Sequence, residues 1–289
     1  MKLPPFDYAC PTTLPEAVQL LASHDGDAKA IAGGQSLMPM LAFRLAHPSL
    51  LVDLRKLPDL RGIRISEQGV TLGAMVRWRD IEDDERLETA HPLLTAAIAH
   101  VAHYQIRNRG TVGGSIAHAD PAAEMPGIAI TCDAEIAVVG RAGTRVYHAA
   151  DFFQGALTTA LAPDEIIVEI RLPAWPRSRR WGFQEFARRG GDFALAAAAL
   201  FYDQDARGKA CNAHVGVIGV GDRPLRLAAV EDVINGQSID EATIAKAEAT
   251  ASAAVDPQDD IHASAAYRRA LVGTLVERAL KGAAAQPNP

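Results

Sequence analysis

The stretch RNRGTVGGSIAHADPAAEMP, residues 107–126, decides how the rest of this chain is read. It packs Gly110, Gly113 and Gly114 into five consecutive positions among small side chains and hydroxyls, so nothing bulky guards the backbone there. A glycine pair lets the chain take positive φ and lets a ligand come within hydrogen-bonding distance of main-chain N–H groups. Several such donors aimed into one concavity form a nest for phosphate oxygens. A second stretch of the same character lies upstream at 30–37, where Ala30, Ile31, Ala32, Gly33, Gly34, Gln35, Ser36 and Leu37 read AIAGGQSL. Each glycine pair has hydroxyls close by, Ser36 in the first and Thr111 and Ser115 in the second, which suits a ligand with two linked phosphates. A bulky residue at Gly114 is therefore expected to abolish ligand retention, by filling the space of a phosphate oxygen and by forbidding positive φ.

Outward from these loops, the chain reads as alternating elements. Thr13, Pro15 and Glu16 cap and charge the start of a helix over 14–23, and Asp25-Gly26-Asp27 ends it. Strands at 28–31 and 50–54, joined through the apolar MPMLAFRLA, complete a βαβ-like unit of about 55 residues. Residues 62–65 and 69–73 alternate around a turn and predict a hairpin. Helices are predicted at 78–84 and 92–106, the latter from Leu93, Leu94, Ala97, Ile98, Val101 and Tyr104 at helical spacing. The 107–126 loop leaves that scaffold, strands follow at 135–139 and 166–170, and 173–176 reads as a linker. The alanine-rich run from 194 has helical propensity, yet a turn at 203–208 followed by an alternating, β-branched stretch at 213–220 predicts an antiparallel strand pair. Helices at 240–254 and 264–281 and a frayed tail, GAAAQPNP, close the chain.

Composition narrows the function. At 289 residues the chain exceeds one ordinary hydrophobic core, so two or three subdomains are expected, with divisions at 1–57, 58–175 and 176–289. A formal net charge of −6 argues against nucleic-acid binding. Cys10, Cys132 and Cys211 are odd in number and far apart, which encodes neither a disulfide framework nor a zinc or iron–sulfur ligand set and fits a cytoplasmic location. No apolar run approaches the ~18 residues needed to span a bilayer, so direct membrane insertion is not expected.

Three blocks together, AGGQSLMPML at 32–41, RNRGTVGGSIAHADPAAEMP at 107–126 and FARRGGDFALAAAAL at 186–200, resemble the FAD-binding medium subunit of the molybdenum hydroxylases, the flavoprotein component of the xanthine dehydrogenase and carbon monoxide dehydrogenase superfamily. The resemblance spans nearly the whole chain, and DIHASAAYRRAL at 260–271 matches the family's C-terminal helix. It implies an α+β fold: a two-part FAD-binding domain of the PCMH type, then a small domain of antiparallel sheet plus helical bundle. It implies that Ala32 to Ser36 and Thr111, Val112, Gly113, Gly114 and Ser115 cradle the FAD pyrophosphate, with Glu124 on the cofactor's sugar-like portion. Val101 and Ile167 match apolar positions beside the rings, and Gln184 stands where lysine or tyrosine is common near the flavin. Iron–sulfur clusters and the molybdopterin cofactor would sit on separate small and large subunits, assembled as a dimer of heterotrimers. Electrons would pass from the clusters to the flavin and on to an external acceptor, with a quinone, a cytochrome and oxygen all open and no catalytic acid or base needed on this chain. AGGQS in place of AGGHS, with AHVAHYQIRNRG and AHADPAAEMP, is closer to members that hydroxylate N-heteroaromatic rings such as quinoline or nicotine.

Other readings stand beside these. His100 and His103, three apart on a predicted helix, could ligate a metal, but with no third ligand evident they read as ordinary helix residues near a subunit contact. His118 either approaches the flavin or makes a structural hydrogen bond, and Asp120 either touches ligand or orients its loop. Residues 216–221, GVIGVG, have the wrong order for a dinucleotide fingerprint and read as a strand ending in a turn. Arg179-Arg180 and Arg188-Arg189 read as solvated or interface charge. A carbon monoxide dehydrogenase medium subunit, a self-contained flavin oxidase and a non-enzymatic phosphate-binding module are the alternative functions.

Overall fold

The computed structural model describes residues 3–287, and Asn288 and Pro289 of the tail lie outside them. Among the described residues three sheets of three to five strands follow one another, besides a two-stranded ribbon of Phe153–Gly155 and Thr158–Thr159. In the first, the buried strand Leu50–Asp53 pairs in parallel with Asp7–Ala9 on one side and Ala28–Ile31 on the other. Helix Leu14–Ala22 covers one face through Ala17, Val18 and Leu21. Its start is built as its residue types dictate, with Thr13 Oγ1 accepting from the Glu16 amide and Glu16 accepting from the Thr12 amide. The segment expected only to connect the strands contains a further helix, Leu37–Ala42.

The second sheet is antiparallel, with Ile166–Pro173 at its centre between Gly69–Gly73 and Glu135–Gly140, and Ile63–Ser66 and Gly143–His148 at the edges. The hairpin is where the alternation put it. The predicted 92–106 helix is instead two pieces, Pro92–Ile98 and Tyr104–Arg107. Ala102 takes φ +45° between them, and the Arg107 guanidinium donates to the freed carbonyls of Val101 and Ala102. His91 caps the first piece, its Nδ1 accepting from the Leu94 amide at 3.2 Å, and burial pulls the imidazole down to about 3.

The third sheet is antiparallel in chain order: Arg180–Phe186, Ala196–Gln204, Ala210–Ile218 and Leu225–Arg226. The alanine-rich run is the strand Ala196–Gln204, because both of its faces are buried. Ala196, Ala198, Leu200 and Tyr202 meet the helices Glu241–Ala253 and Ala265–Ala284, whereas Ala199 and Phe201 join the core of the preceding domain. Small side chains let helices and domain close on a strand from opposite sides, and that packing overrides propensity. The GVIGVG stretch is indeed a strand end, with Gly219 turning at φ +76°.

Several expectations are corrected here. The tail is not frayed up to Gln286: the last helix runs to Ala284, and the Gln286 amide bridges both backbone groups of Trp181 at 3.3 and 2.9 Å. Arg179 and Arg180 are not a solvated run. Arg179 forms two 2.9 Å bonds to Asp203 and lies over Phe201 and Trp175, while buried Arg180 donates to the carbonyls of Gln286 and Pro287. The 173–176 linker is a seam, with Trp175 packed on His91 and edge-on to Phe201. Among the described residues no helix is long and apolar enough to cross a membrane.

Candidate cofactor site

The first glycine pair follows strand Ala28–Ile31 at its carboxyl end, where α/β units place ligands. Gly34 is left-handed at φ +72°, and the Gln35 side chain donates to the Gly33 carbonyl at 3.1 Å. The Gly34 carbonyl accepts from Met38, so the bend runs directly into helix Leu37–Ala42. Among the described residues the amides of Gly33, Gly34, Gln35 and Ser36 have no acceptor, and the Ser36 hydroxyl makes no capping bond. Ala30, Ile31 and Leu37 serve packing, Ile31 in a small cluster against which Leu37 rests.

The second glycine pair is built differently. The expected open loop contains helix Val112–His118 and the start of Glu124–Thr131. Gly113 and Gly114 are helical, not left-handed, which corrects the expectation of positive φ at the second pair. Its amides are also committed: Val112 donates to Val76 at 2.9 Å, Gly113 to Ala74 at 2.8 Å, Gly114 to the capping Thr111 hydroxyl at 3.2 Å and Ser115 to the Thr111 carbonyl at 3.0 Å. What the glycines supply is room. A Cβ on Gly113 would stand 2.5 Å from Ala74 Cβ, and one on Gly110 2.7 Å from the Trp78 indole nitrogen.

The two bends touch. A Cβ on Gly33 would run into the Arg109 carbonyl and reach Gly110 Cα at 3.0 Å, and one on Gly114 would lie 3.7 Å from Ala32 Cβ. Residues 32–36 and 109–115, about eighty positions apart in sequence, therefore form one bare-backbone patch with open donors on one side.

The remaining predicted residues fall into groups. Val101 and Ile167 are 8% and 4% exposed and pack in the main core. Asp120 orients its own loop, its Oδ1 accepting from the Ala122 amide at 2.8 Å. His118 is partly buried, and burial holds its imidazole below the ordinary value. Glu124, the first residue of helix Glu124–Thr131, is 8% exposed, and burial followed by the charge of Asp120 pushes its carboxyl up to about 7. Gln184 does not join this group. It shares a strand face with Gly182 and Phe186, which meet Ala279 and Tyr267 of the C-terminal helix. The opposite face carries Phe183 and Glu185 toward the preceding domain, and Phe183 lines a small cavity together with Glu124. His100 and His103 sit on different elements, His103 beneath Gly191 and His100 against Phe183.

Sequence reasoning missed Glu185. Its side chain is 5% exposed, its Oε2 is buried without a hydrogen-bond partner, and His100 Nδ1 lies 3.8 Å from Oε1. Burial and the nearby Glu124 push the carboxyl up to about 8. The signal was an acid in the alternating run WGFQEF, legible only once that run is known to be a strand.

Free amides in one bend and a second bare bend packed on it form a cradle of the kind that takes phosphate oxygens. Residues 4–175 match the model of the FAD binding domain in molybdopterin dehydrogenase, and residues 181–283 that of the CO dehydrogenase flavoprotein C-terminal domain. The chain is 38% identical over its full length, and 98% of the relative's, to the 6-hydroxypseudooxynicotine dehydrogenase complex subunit alpha of Paenarthrobacter nicotinovorans. It superposes on quinoline 2-oxidoreductase from Pseudomonas putida 86 with a TM-score of 0.93 at 40% identity, covering 98% of both chains. Carbon monoxide dehydrogenase from Hydrogenophaga pseudoflava gives 0.94 at 36% identity over 98% of both. The chain belongs to the FAD-binding medium subunits of the molybdopterin hydroxylases. It is the flavoprotein subunit of a molybdopterin-dependent dehydrogenase, with the expected α+β order of FAD-binding domain, then antiparallel sheet with helices.

Proposed function

We propose that this chain is the electron relay of a three-subunit molybdenum hydroxylase, taking electrons from iron–sulfur clusters on a small subunit and passing them from FAD to an external acceptor. The molybdopterin cofactor belongs to a large subunit, and two heterotrimers pair. The observation that carries the relay reading is the apposition of the two bends, with Gly33 seated on Arg109 and Gly110. In this reading the amides of Gly33 to Ser36 and the Ser36 hydroxyl hold the diphosphate, the 111–115 turn gives it close approach, and Glu124 faces the sugar-like portion. Bound FAD supplies the redox chemistry; the chain binds, orients and shields it. The three sheets, each with its own apolar cluster, support divisions near residues 57 and 175.

The holoenzyme substrate in this reading is an N-heteroaromatic ring, hydroxylated with oxygen from water. Support comes from similarity to the quinoline enzyme and to the nicotine 6-hydroxylase medium subunit of Paenarthrobacter nicotinovorans, 39% identical over 99% of this chain. The test is anaerobic mixing of the purified complex with quinoline, nicotine or carbon monoxide while flavin absorbance is followed. Bleaching by a ring compound is the expected result. Bleaching by carbon monoxide alone would reassign the substrate, and bleaching of the isolated chain by an organic substrate would make it a self-contained oxidase.

A further inference from the structure

The first bend owes its shape to very few bonds. Among the described residues the carbonyls of Gly33 and Gly34 are each held by one donor, the Gln35 side chain at 3.1 Å and the Met38 amide at 3.2 Å. The Gln35 side chain is half-buried and, among those residues, makes no other hydrogen bond. Its Nε2 end must face the carbonyl, since only an N–H can serve an acceptor. The peptides here are all trans, and a trans peptide points its C=O and its N–H in opposite directions. Holding the Gly33 oxygen therefore also fixes where the Gly34 N–H points, away from the Gln35 amide. No Cβ flanks the 33–34 peptide on either side, so its plane can turn over at little steric cost. Turned over, it would meet a phosphate with an oxygen where it now presents a donor. The second bend needs no such catch, because Ala74 and Val76 already fix the amides of Gly113 and Val112.

We propose that Gln35 is a positioning residue for the cofactor: its side-chain amide latches the Gly33–Gly34 peptide so that the Gly34 N–H is aimed for the FAD diphosphate before the ligand arrives. The proposal deepens the FAD-relay reading and rests on it. The Gln35 side chain itself touches no phosphate in this scheme; it supplies a competent conformation of the neighbouring backbone. Without the latch the peptide spends most of its time in orientations that do not bind, and only the remaining fraction captures ligand. Once FAD is bound its phosphate oxygens hold the same N–H, so the latch governs capture and hardly affects release.

The test is stopped-flow mixing of FAD with the flavin-depleted complex, followed by the quenching of flavin fluorescence, with release measured separately on dilution. Gln35→Met keeps the length and removes the donor. Association about tenfold slower is expected, the worth of one ordinary hydrogen bond, with release within about twofold of wild type. Gln35→Glu is measured in about 0.5 M salt, where long-range repulsion of the phosphates is screened. It should associate at least as slowly at about pH 8 and recover toward wild type near about pH 4.5, because a protonated carboxyl again donates to the Gly33 carbonyl. Unchanged association in both variants overturns the proposal. So does a change confined to release, which would mean that the side chain grips the cofactor itself. If Gln35→Met does not fold, the pH profile of Gln35→Glu decides alone: recovery supports the latch, and a flat, slow profile overturns it. Wild type purified with iron–sulfur and molybdenum partners but no flavin would instead overturn the underlying relay reading, and the proposal with it.

Discussion

The two glycine pairs look alike in sequence and work by opposite means. At 32–36 the chain bends through a left-handed Gly34 and leaves its amides open. At 111–115 the same residue types start a capped helix whose amides from Val112 to Ser115 are bonded inside the chain, and the glycines only remove bulk. A glycine pair beside a hydroxyl therefore states that backbone comes close to something, not which side donates. The largest effect should follow where the two meet. Gly33→Ala drives Cβ into the Arg109 carbonyl, which is backbone and cannot swing aside. A stability loss of about 3 kcal/mol and near-complete loss of bound flavin are expected, read from denaturant unfolding and from the flavin-to-protein absorbance ratio. Wild-type flavin content in that variant would break the picture of two touching bends.

Within the second pair, Gly113→Ala asks whether removing bulk is the whole role. Its backbone is helical and suits alanine, but the new methyl meets Ala74 Cβ at 2.5 Å and the Ala74 carbonyl at 2.8 Å. A cost of about 1–2 kcal/mol with partial flavin loss is expected. The double variant Gly113→Ala with Ala74→Gly should recover part of both, because it returns the space on the other side of the contact.

How much of this was legible follows from what each signal reports. Alternation and capping are local, so the 69–73 hairpin strand, the Thr13 cap and the alanine-rich strand could be read from their neighbours in sequence. The break after Ile98 could not, since it depends on Arg107 reaching back to two carbonyls while its Nε pairs with Glu82. Strands Asp7–Ala9 and Arg180–Phe186 went unpredicted for a related reason: both are recognisable chiefly by the strand each pairs with. The glycine bends were found by residue type, but their division of labour was hidden, because whether an amide is free depends on Ala74 and Val76 more than thirty positions away. The face on which Gln184 and Glu185 lie was hidden with the strand that carries them.

Protonation separates the bends further, since only the second runs on to a buried acid, Glu124, which faces Glu185. Both carboxyls are raised in the folded chain, so between the ordinary 4.5 and about 7 to 8 the folded state holds protons that the unfolded state has released. Stability is then fully present on the acid side of that window and falls as pH rises through it. A melting temperature dropping by a few degrees between about pH 5 and 8 and levelling above is expected, with a flatter curve for Glu185→Gln. A wild-type curve that climbs over the same range would mean the pair is not buried in solution.

The smallest effect is expected at Gly114, where a bulky residue was expected from sequence to fail by forbidding positive φ. The helical backbone there removes that reason. For Gly114→Ala two terms oppose each other. Replacing a helical glycine by alanine favours folding by about 0.8–1 kcal/mol. The new Cβ, however, lies 2.9 Å from Thr111 Oγ1 and must push aside the hydroxyl that caps the Gly114 amide, at a cost of about 1 kcal/mol. The expected net change in unfolding free energy is within about 0.5 kcal/mol of zero, with flavin retained, because the methyl reaches only van der Waals distance of Ala32. In a Thr111→Ala background the opposing term is gone, so the same substitution should stabilise. That change of sign, measured by a double-mutant cycle in denaturant, separates a glycine kept for its neighbour's hydroxyl from one kept for its own backbone angle.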